Sequence, residues 1–416
     1  MTPPTPPPRL ARDRAWRARL DPMTRYAERH EHLLLGRTSV SVTVVPPPAP
    51  HAELAAPAAE PEVPVADVAE QLTAVAEEQR RNEQHRVRVF ALSAIYEARE
   101  LLGTAASKAD GKRDAATLAR SSAALDRAAR DDGWRSVPWA GPGAVEDPFA
   151  DFGPEIANFG EVLEHLRMQW TLARRAHCAA DTRIDPILLL GPPGVGKSHF
   201  AASIADLIGV RMSAFSTGGA QDAMQLCGTD ARWSNARTGM VFDALSAGGS
   251  AAPVLVVDEV DKLAQESTGS RDTPVNTLLD LLERDSARRY RDMSLQLEMD
   301  ASRVIVIATA NERASISPPL LSRLTEFHIA PPTAEQRRAI LESYLGRLAA
   351  THECPADIAL DAASAEAALA TPDLDVRELL RMVRTGFASA IAADSDRVTL
   401  SPPRRGATRR RIGFTN

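Results

Sequence analysis

Eight residues, GPPGVGKS at 191–198, carry the pattern GxxxxGK[ST], and the chemistry served by that pattern is the grip on a polyphosphate. Gly191, Gly194 and Gly196, with Pro192, Pro193 and Val195 between them, let the chain wrap closely enough for main-chain N–H groups to face phosphate oxygens. Lys197 is placed to reach the β- and γ-phosphates, and the hydroxyl of Ser198 to bind Mg²⁺. The loop falls between an apolar run, PILLL at 186–190, and a helical segment opening at His199, which is the strand–loop–helix setting that the chemistry requires.

About sixty residues later VLVVDEVDK (254–262) brings a second apolar run to two acids. A strand there delivers Asp258 to its C-terminal edge, where α/β sheets place ligands. Asp258 is suited to hold Mg²⁺ through water, and Glu259 to orient and deprotonate an attacking water. A strand ending in solvated acids would read the same way in isolation; the pair of motifs points to one nucleoside-triphosphate site. Three further elements follow in order. VIVIATAN ends at Asn311, an amide able to position water beside a γ-phosphate. SPPLLSR (317–323) predicts a short helix with Ser317 as cap and Pro318 in the first turn, projecting Arg323. DLDVRELL (373–380) places Arg377 in the first turn of a last helix. A cation there opposes the helix dipole and calls for an anion, either a bound phosphate or a local carboxylate.

These residues need elements to hold them. From about residue 150 short apolar runs alternate with helical stretches, predicting an α/β fold: a parallel sheet covered on both faces, over 150–331. After Pro331 no strand is predicted; helical stretches at about 333–349, 356–370 and 374–393 suggest a small all-helical domain spanning 332–395. Ahead of the sheet, residues 65–102 carry helical periodicity, and a break at 110–113 precedes a second helical stretch to about Arg130, so 65–132 reads as a helical hairpin. Residues 1–64 form a proline-rich arm whose composition favours solvated backbone, although 32–45 could supply one strand. Residues 396–416 form a basic tail.

The chain has 416 residues, 44% hydrophobic and 25% charged, which excludes a chain disordered throughout and a disulfide scaffold. No apolar run approaches the roughly 20 residues that cross a bilayer, and the N-terminus has no apolar core of the secretory kind. A net charge of −6 and a pI near 5.9 argue against a protein that mainly coats nucleic acid. Cys178, Cys227 and Cys354 are widely spaced with no CxxC pair, which suggests reduced thiols and a cytoplasmic setting. Only four of 49 basic residues are lysine, namely Lys108, Lys112, Lys197 and Lys262. Against an arginine-rich background, Lys197 stands out as a place where an ammonium is wanted.

The order GPPGVGKS, DEVDK, ATAN, PPLLSRL and DVREL resembles the AAA+ ATPases, and its wording is most similar to the ATPase module of Lon-type proteases. The resemblance covers about residues 155–395. It implies a P-loop αβα sandwich followed by a helical lid, ATP and Mg²⁺ as ligands, and a homo-oligomeric ring, usually a hexamer. It further implies that Lys197 and Ser198 belong to Walker A, Asp258 and Glu259 to Walker B, Asn311 to sensor 1 and Arg377 to sensor 2, with Arg323 as a finger on the neighbour's ATP. Lon enzymes continue into a Ser–Lys protease domain, whereas about twenty residues follow the lid here, so peptidase activity is not carried over.

In the same register CGTDARWSNARTG (227–239) falls where Lon-type motors carry an aromatic pore loop, with Trp233 in the aromatic position; packing at a subunit interface is the alternative. RRYRDMSLQLEMD (288–300) occupies the second pore-loop position, and its cations could contact an acidic ligand or be solvated. The leading expectation is an ATP-driven machine that remodels a protein client or partner. A nucleic-acid motor or loader, resting on Arg288, Arg289 and Arg291 and on the arginine clusters at 9–19 and 404–411, is the second, and a nucleotide-gated scaffold the third.

Overall fold

The computed structural model describes residues 85–107, 115–141, 144, 146–150, 153–217, 224–263, 274–352, 358–371 and 374–401. The chain divides into Met1–Gln79 and Arg80–Asn416, and every described residue lies in the second unit. The arm at 1–64, the strand expected at 32–45, the start of the hairpin and the last fifteen residues of the basic tail fall outside the described residues.

Five parallel strands form the central sheet: β3 (Ile187–Leu190), β4 (Met212–Ser216), β5 (Val254–Asp258), β8 (Ile305–Ala310) and β9 (Thr325–His328). Their spatial order is β4-β5-β8-β3-β9. The three inner strands are the continuous apolar runs ILLL, VLVV and IVIATA, buried along nearly their whole length because helices pack on both faces. The edges are different. Met212–Ser216 and Thr325–His328 keep most positions partly or wholly exposed, so they carry polar residues and show no apolar run. The expected α/β sandwich is present.

The helices that matter for the site are α3 (Gly160–Arg175), α4 (Lys197–Ile208), α5 (Met240–Ala247), α6 (Pro274–Leu282) and the short α7 (Pro318–Leu321). Ser317 occupies the N-cap position of α7 with Pro318 next, yet its hydroxyl makes no capping bond and is buried without a partner. A two-stranded antiparallel hairpin, β6 (Tyr290–Asp292) with β7 (Leu297–Met299), projects before β8.

Beyond Pro331 come α8 (Ala334–Thr351), α9 (Ala362–Leu369) and α10 (Val376–Ala392), which bury Leu341, Leu345, Leu369, Leu379, Val383 and Phe387 in a core of their own. Thr333 and Gln336 close a reciprocal capping box at the start of α8. Strands do not stop altogether, as the sequence suggests they should: β10 (Ala359–Leu360) pairs in parallel with β11 (Arg397–Val398). Two residues each are too few to leave a readable pattern.

The segment ahead of the sheet also departs from expectation. Arg86–Arg88 is a strand, β1, antiparallel to β2 (Trp134–Ser136), and the helix α1 begins only at Leu92 and runs to Ser107. RVRVF alternates with period two, and that local pattern prevails over the longer helical periodicity. Helix α2 (Ala115–Ala128) packs on α1. The pair docks on the sheet domain through Arg135, whose buried guanidinium donates to the carbonyls of Leu245, Arg130, Trp134, Arg127 and Ala128. Trp139 adds a hydrogen bond to Thr182 at 2.7 Å and an edge contact with Trp170.

Candidate active site

A cleft of about 490 Å³ opens where the C-terminal ends of β3, β5 and β8 meet the helical domain. Pro193 to His199 line one wall, with Asp258, Glu259, Thr309 and Asn311 beside them. Two glycines shape the loop. Gly196 sits at φ +102 where the chain turns into α4, and Gly194 at φ +83 lies so close to the lid that a Cβ would meet the Asp375 carboxylate at 2.8 Å. Only glycine adopts such angles at low cost. Asp375 in turn caps α10, accepting from the N–H of Glu378 at 2.7 Å, so loop and lid touch through a helix cap.

Lys197 is 8% exposed and points back along its own loop. Its Nζ donates to Gly191 O at 2.7 Å, to Pro192 O at 3.0 Å and to Asn311 Oδ1 at 2.9 Å. Gly191 and Pro192 thus contribute carbonyls to the lysine, while the loop from Pro193 onward faces the cleft. Burial pushes the Lys197 ammonium below its usual range, and the carboxylates of Asp258, Asp261 and Glu259 work against that shift.

The acids are held with equal definition. Asp258 Oδ1 accepts from Ser198 Oγ at 3.1 Å and from Thr309 Oγ1. Ser198 and Asp258 therefore present adjacent hard oxygens, a pairing that suits Mg²⁺, which takes few protein ligands and keeps several waters. Glu259 adopts left-handed backbone at φ +59, and its N–H donates to Thr309 Oγ1 while its carbonyl accepts from Thr217. Its carboxylate pairs with Lys262 Nζ at 2.7 Å. Thr309, Thr217, Asp261 and Lys262 escape a search for reactive groups because each acts through a neighbour. All but Thr217 nevertheless lie within the quoted runs VIVIATAN and VLVVDEVDK.

The lid closes the opposite wall. Ile340 and Tyr344 of α8 face Val376 and Leu380 of α10, and Arg347, Arg377, Arg381 and Arg384 complete the lining. Arg377 therefore reaches the cleft that holds the phosphate loop.

Residues 187–331 match the ATPase family associated with various cellular activities (AAA). This span is an AAA domain. Over 159 residues, 38% of its length, the chain is 36% identical to a mitochondrial Lon protease homologue of Phaeodactylum tricornutum and 35% identical to the Lon protease of Methanosarcina barkeri. The matched stretch spans only 18% and 20% of the length of those two relatives. The Thermotoga maritima RuvB Holliday junction branch migration motor aligns at TM-score 0.37 and 19% identity, covering 58% of this chain and 65% of that chain.

Two expected residues of the AAA domain lie away from the cleft. Arg323 does not line it; its Nε pairs with Glu283 at 3.3 Å and its Nη1 donates to Pro319 O at 3.1 Å. Trp233 stands 50% exposed on a loop braced by Asp230, whose carboxylate accepts from the backbone and guanidinium of Arg232. That loop is tied to the β6–β7 hairpin by Ala231 N–H to Met293 O, and by Met293 N–H to Cys227 O at 2.7 Å. Asp292 joins them from inside. Fully buried, it accepts from Gly239 N at 2.7 Å and from Ser294 N, Ser294 Oγ and Leu295 N. Burial raises its carboxyl to about 6, and those donors pull the other way. Sequence reading passes over Asp292 because a single Asp in a cationic run looks solvated.

Among the described residues no helix is long and apolar enough to cross a membrane.

Proposed function

We propose that this chain is a Mg²⁺-dependent ATPase that works as a homo-oligomeric ring, most simply a hexamer, and uses hydrolysis to remodel, unfold or translocate a protein client. One observation carries the reading: Lys197, Ser198, Asp258, Glu259 and Asn311 share one cleft with Arg377 of the lid. Lys197 exchanges its carbonyl partners for phosphate oxygens and neutralises their charge. Ser198 and Asp258 hold Mg²⁺, which when bound offsets charge on the phosphates. Glu259 takes the proton of the attacking water, and the Asn311 amide orients that water. Arg377 senses the phosphates from the lid. Arg323, outside its own cleft, acts on the ATP of the next subunit.

The protein-client part of the reading rests on the exposed Trp233 and the bracing of its loop against the hairpin at 290–299. A cytoplasmic setting accords with the cysteine usage. A nucleic-acid motor is the second reading; Arg288, Arg289 and Arg291 line a groove of about 760 Å³ at the base of the hairpin. Two measurements separate them. Stimulation of Mg²⁺-dependent ATP turnover by an unfolded protein supports the first, and salt-sensitive retention on DNA without such stimulation supports the second. Glu259→Gln with ATP should trap the client, because it keeps the phosphate contacts and loses the base.

A further inference from the structure

The turn that follows the two acids contains a carboxylate with no role in the scheme above. Asp261 lies on the 3-10 turn Val260–Lys262, two residues after Glu259. Its Oδ2 accepts from the N–H of Asn311 at 3.0 Å and from the N–H of Glu312 at 3.0 Å. Its Oδ1 is buried and has no hydrogen-bond partner. These two N–H groups sit just beyond the end of β8, whose ladder to β3 closes at Leu190 with Ala310. Past that point the β8 ladder has ended, and these main-chain donors take their acceptor from elsewhere. Any carbonyl could have met that need. The acceptor supplied instead belongs to the turn that carries Glu259, and the peptide it grips is the one whose side chain accepts from Lys197 Nζ at 2.9 Å.

We infer that Asp261 is a positioning residue: it binds the Glu259 turn and the Asn311 peptide into one frame, so that base and amide address the same water. The inference rests on the ATPase reading for its consequence in turnover, but the hydrogen-bond link stands apart from that reading. The charge is also not idle, since Asp261 is among the carboxylates that sustain the Lys197 ammonium against burial.

The test uses the full chain with Asp261→Ala and Asp261→Asn. Asp261→Ala is expected to lower kcat by about tenfold to a hundredfold, as misplacement of a reacting group does, with ATP affinity and KM within about threefold of wild type. Asp261→Asn keeps an oxygen able to accept both N–H groups and should recover most of the turnover. Adding Asp261→Ala to Asn311→Ala should cost little more, because the first residue acts through the second. Amide hydrogen exchange gives a readout independent of hydrolysis: Asn311 and Glu312 should exchange faster in Asp261→Ala than in wild type. Unchanged kcat in Asp261→Ala overturns the inference. So does an equal loss of affinity and turnover that Asp261→Asn fails to rescue. If the wild-type chain hydrolyses no ATP, the functional reading falls, and exchange at those two amides still decides the link; unchanged protection would remove it.

Discussion

Lys197 shows what a single residue contributes before any ligand arrives. An ammonium at 8% exposure is costly to bury, and here two loop carbonyls and an amide oxygen satisfy all three of its donors. The same loop is therefore held in place, and on the proposed reading the charge is already desolvated before phosphate oxygens replace the carbonyls. Lys197→Ala is expected to weaken ATP binding at least about tenfold, the usual scale for loss of a buried charge on a phosphate; titration with a fluorescent ATP analogue measures it, and unchanged affinity would sink the site. Asp292 makes a residue-scale prediction of another kind. Its folded carboxyl lies near 6, raised by burial above the unfolded value near 3.8. The folded state thus favours the protonated form, and stability from this group is fully present below pH about 4 and lost as pH rises through about 6. Relative to Asp292→Asn, the wild type should lose roughly 2–3 kcal/mol between those limits, read by urea unfolding at a series of pH values. A flat difference between the two proteins across that window would show that the donors from Gly239, Ser294 and Leu295 cancel the burial.

Elements are joined to one another by few, specific groups. Arg135 has no carboxylate among its hydrogen-bond partners; it binds five main-chain oxygens, two of them, of Arg127 and Ala128, at the C-terminal end of α2, and burial lowers its pKa. The helix end that would otherwise leave carbonyls unpaired is closed by a side chain that also reaches α5 through Leu245. Arg135→Met should destabilise the fold by about 3 kcal/mol, because several buried acceptors lose their donor together. Denaturant unfolding tests this, and a cost under about 1 kcal/mol would mean that water replaces the guanidinium. The Trp233 loop is the second case. Its links to the hairpin at 290–299 hold the exposed indole without burying it. Trp233→Ala should leave basal ATPase intact and impair work on a protein client; loss of assembly in sedimentation would instead assign the indole to a subunit interface.

At the scale of the whole molecule, the proposed catalytic set is divided between parts of the fold and, on the same reading, between subunits. The lid meets the glycine-rich loop where Asp375 approaches Gly194, so on the proposed reading nucleotide in that loop bears directly on the lid. Arg323 is held by Glu283 away from its own cleft. If it serves a neighbour, Arg323→Ala should bind ATP almost normally and hydrolyse it about 10³- to 10⁵-fold more slowly. Arg323→Ala subunits keep a working loop and Lys197→Ala subunits keep a working finger. Mixed rings of the two should regain part of the activity. No recovery in rings shown to contain both would leave Arg323 as a brace of its own domain.

Much of this was written locally. Continuous apolar runs announce the three inner strands because burial on both faces leaves no room for polar alternation, and the reactive residues sit at the ends of those strands, where sequence spacing and spatial position coincide. The edge strands at 212–216 and 325–328 were illegible for the complementary reason: with one side open, they obey pairing with a neighbour more than any pattern of their own. Arg86–Arg88 follows its own period-two alternation, but the strand that pairs with it, Trp134–Ser136, is brought alongside only by the fold. The supporting residues were decided in the same way. Thr309 joins Asp258 to Glu259, Asp261 grips a peptide fifty residues downstream, and Asp292 joins a loop to a hairpin. Reactive groups are specified by type and spacing; what holds them is specified by which distant backbone donor arrives within about 3 Å, and only the folded chain settles that.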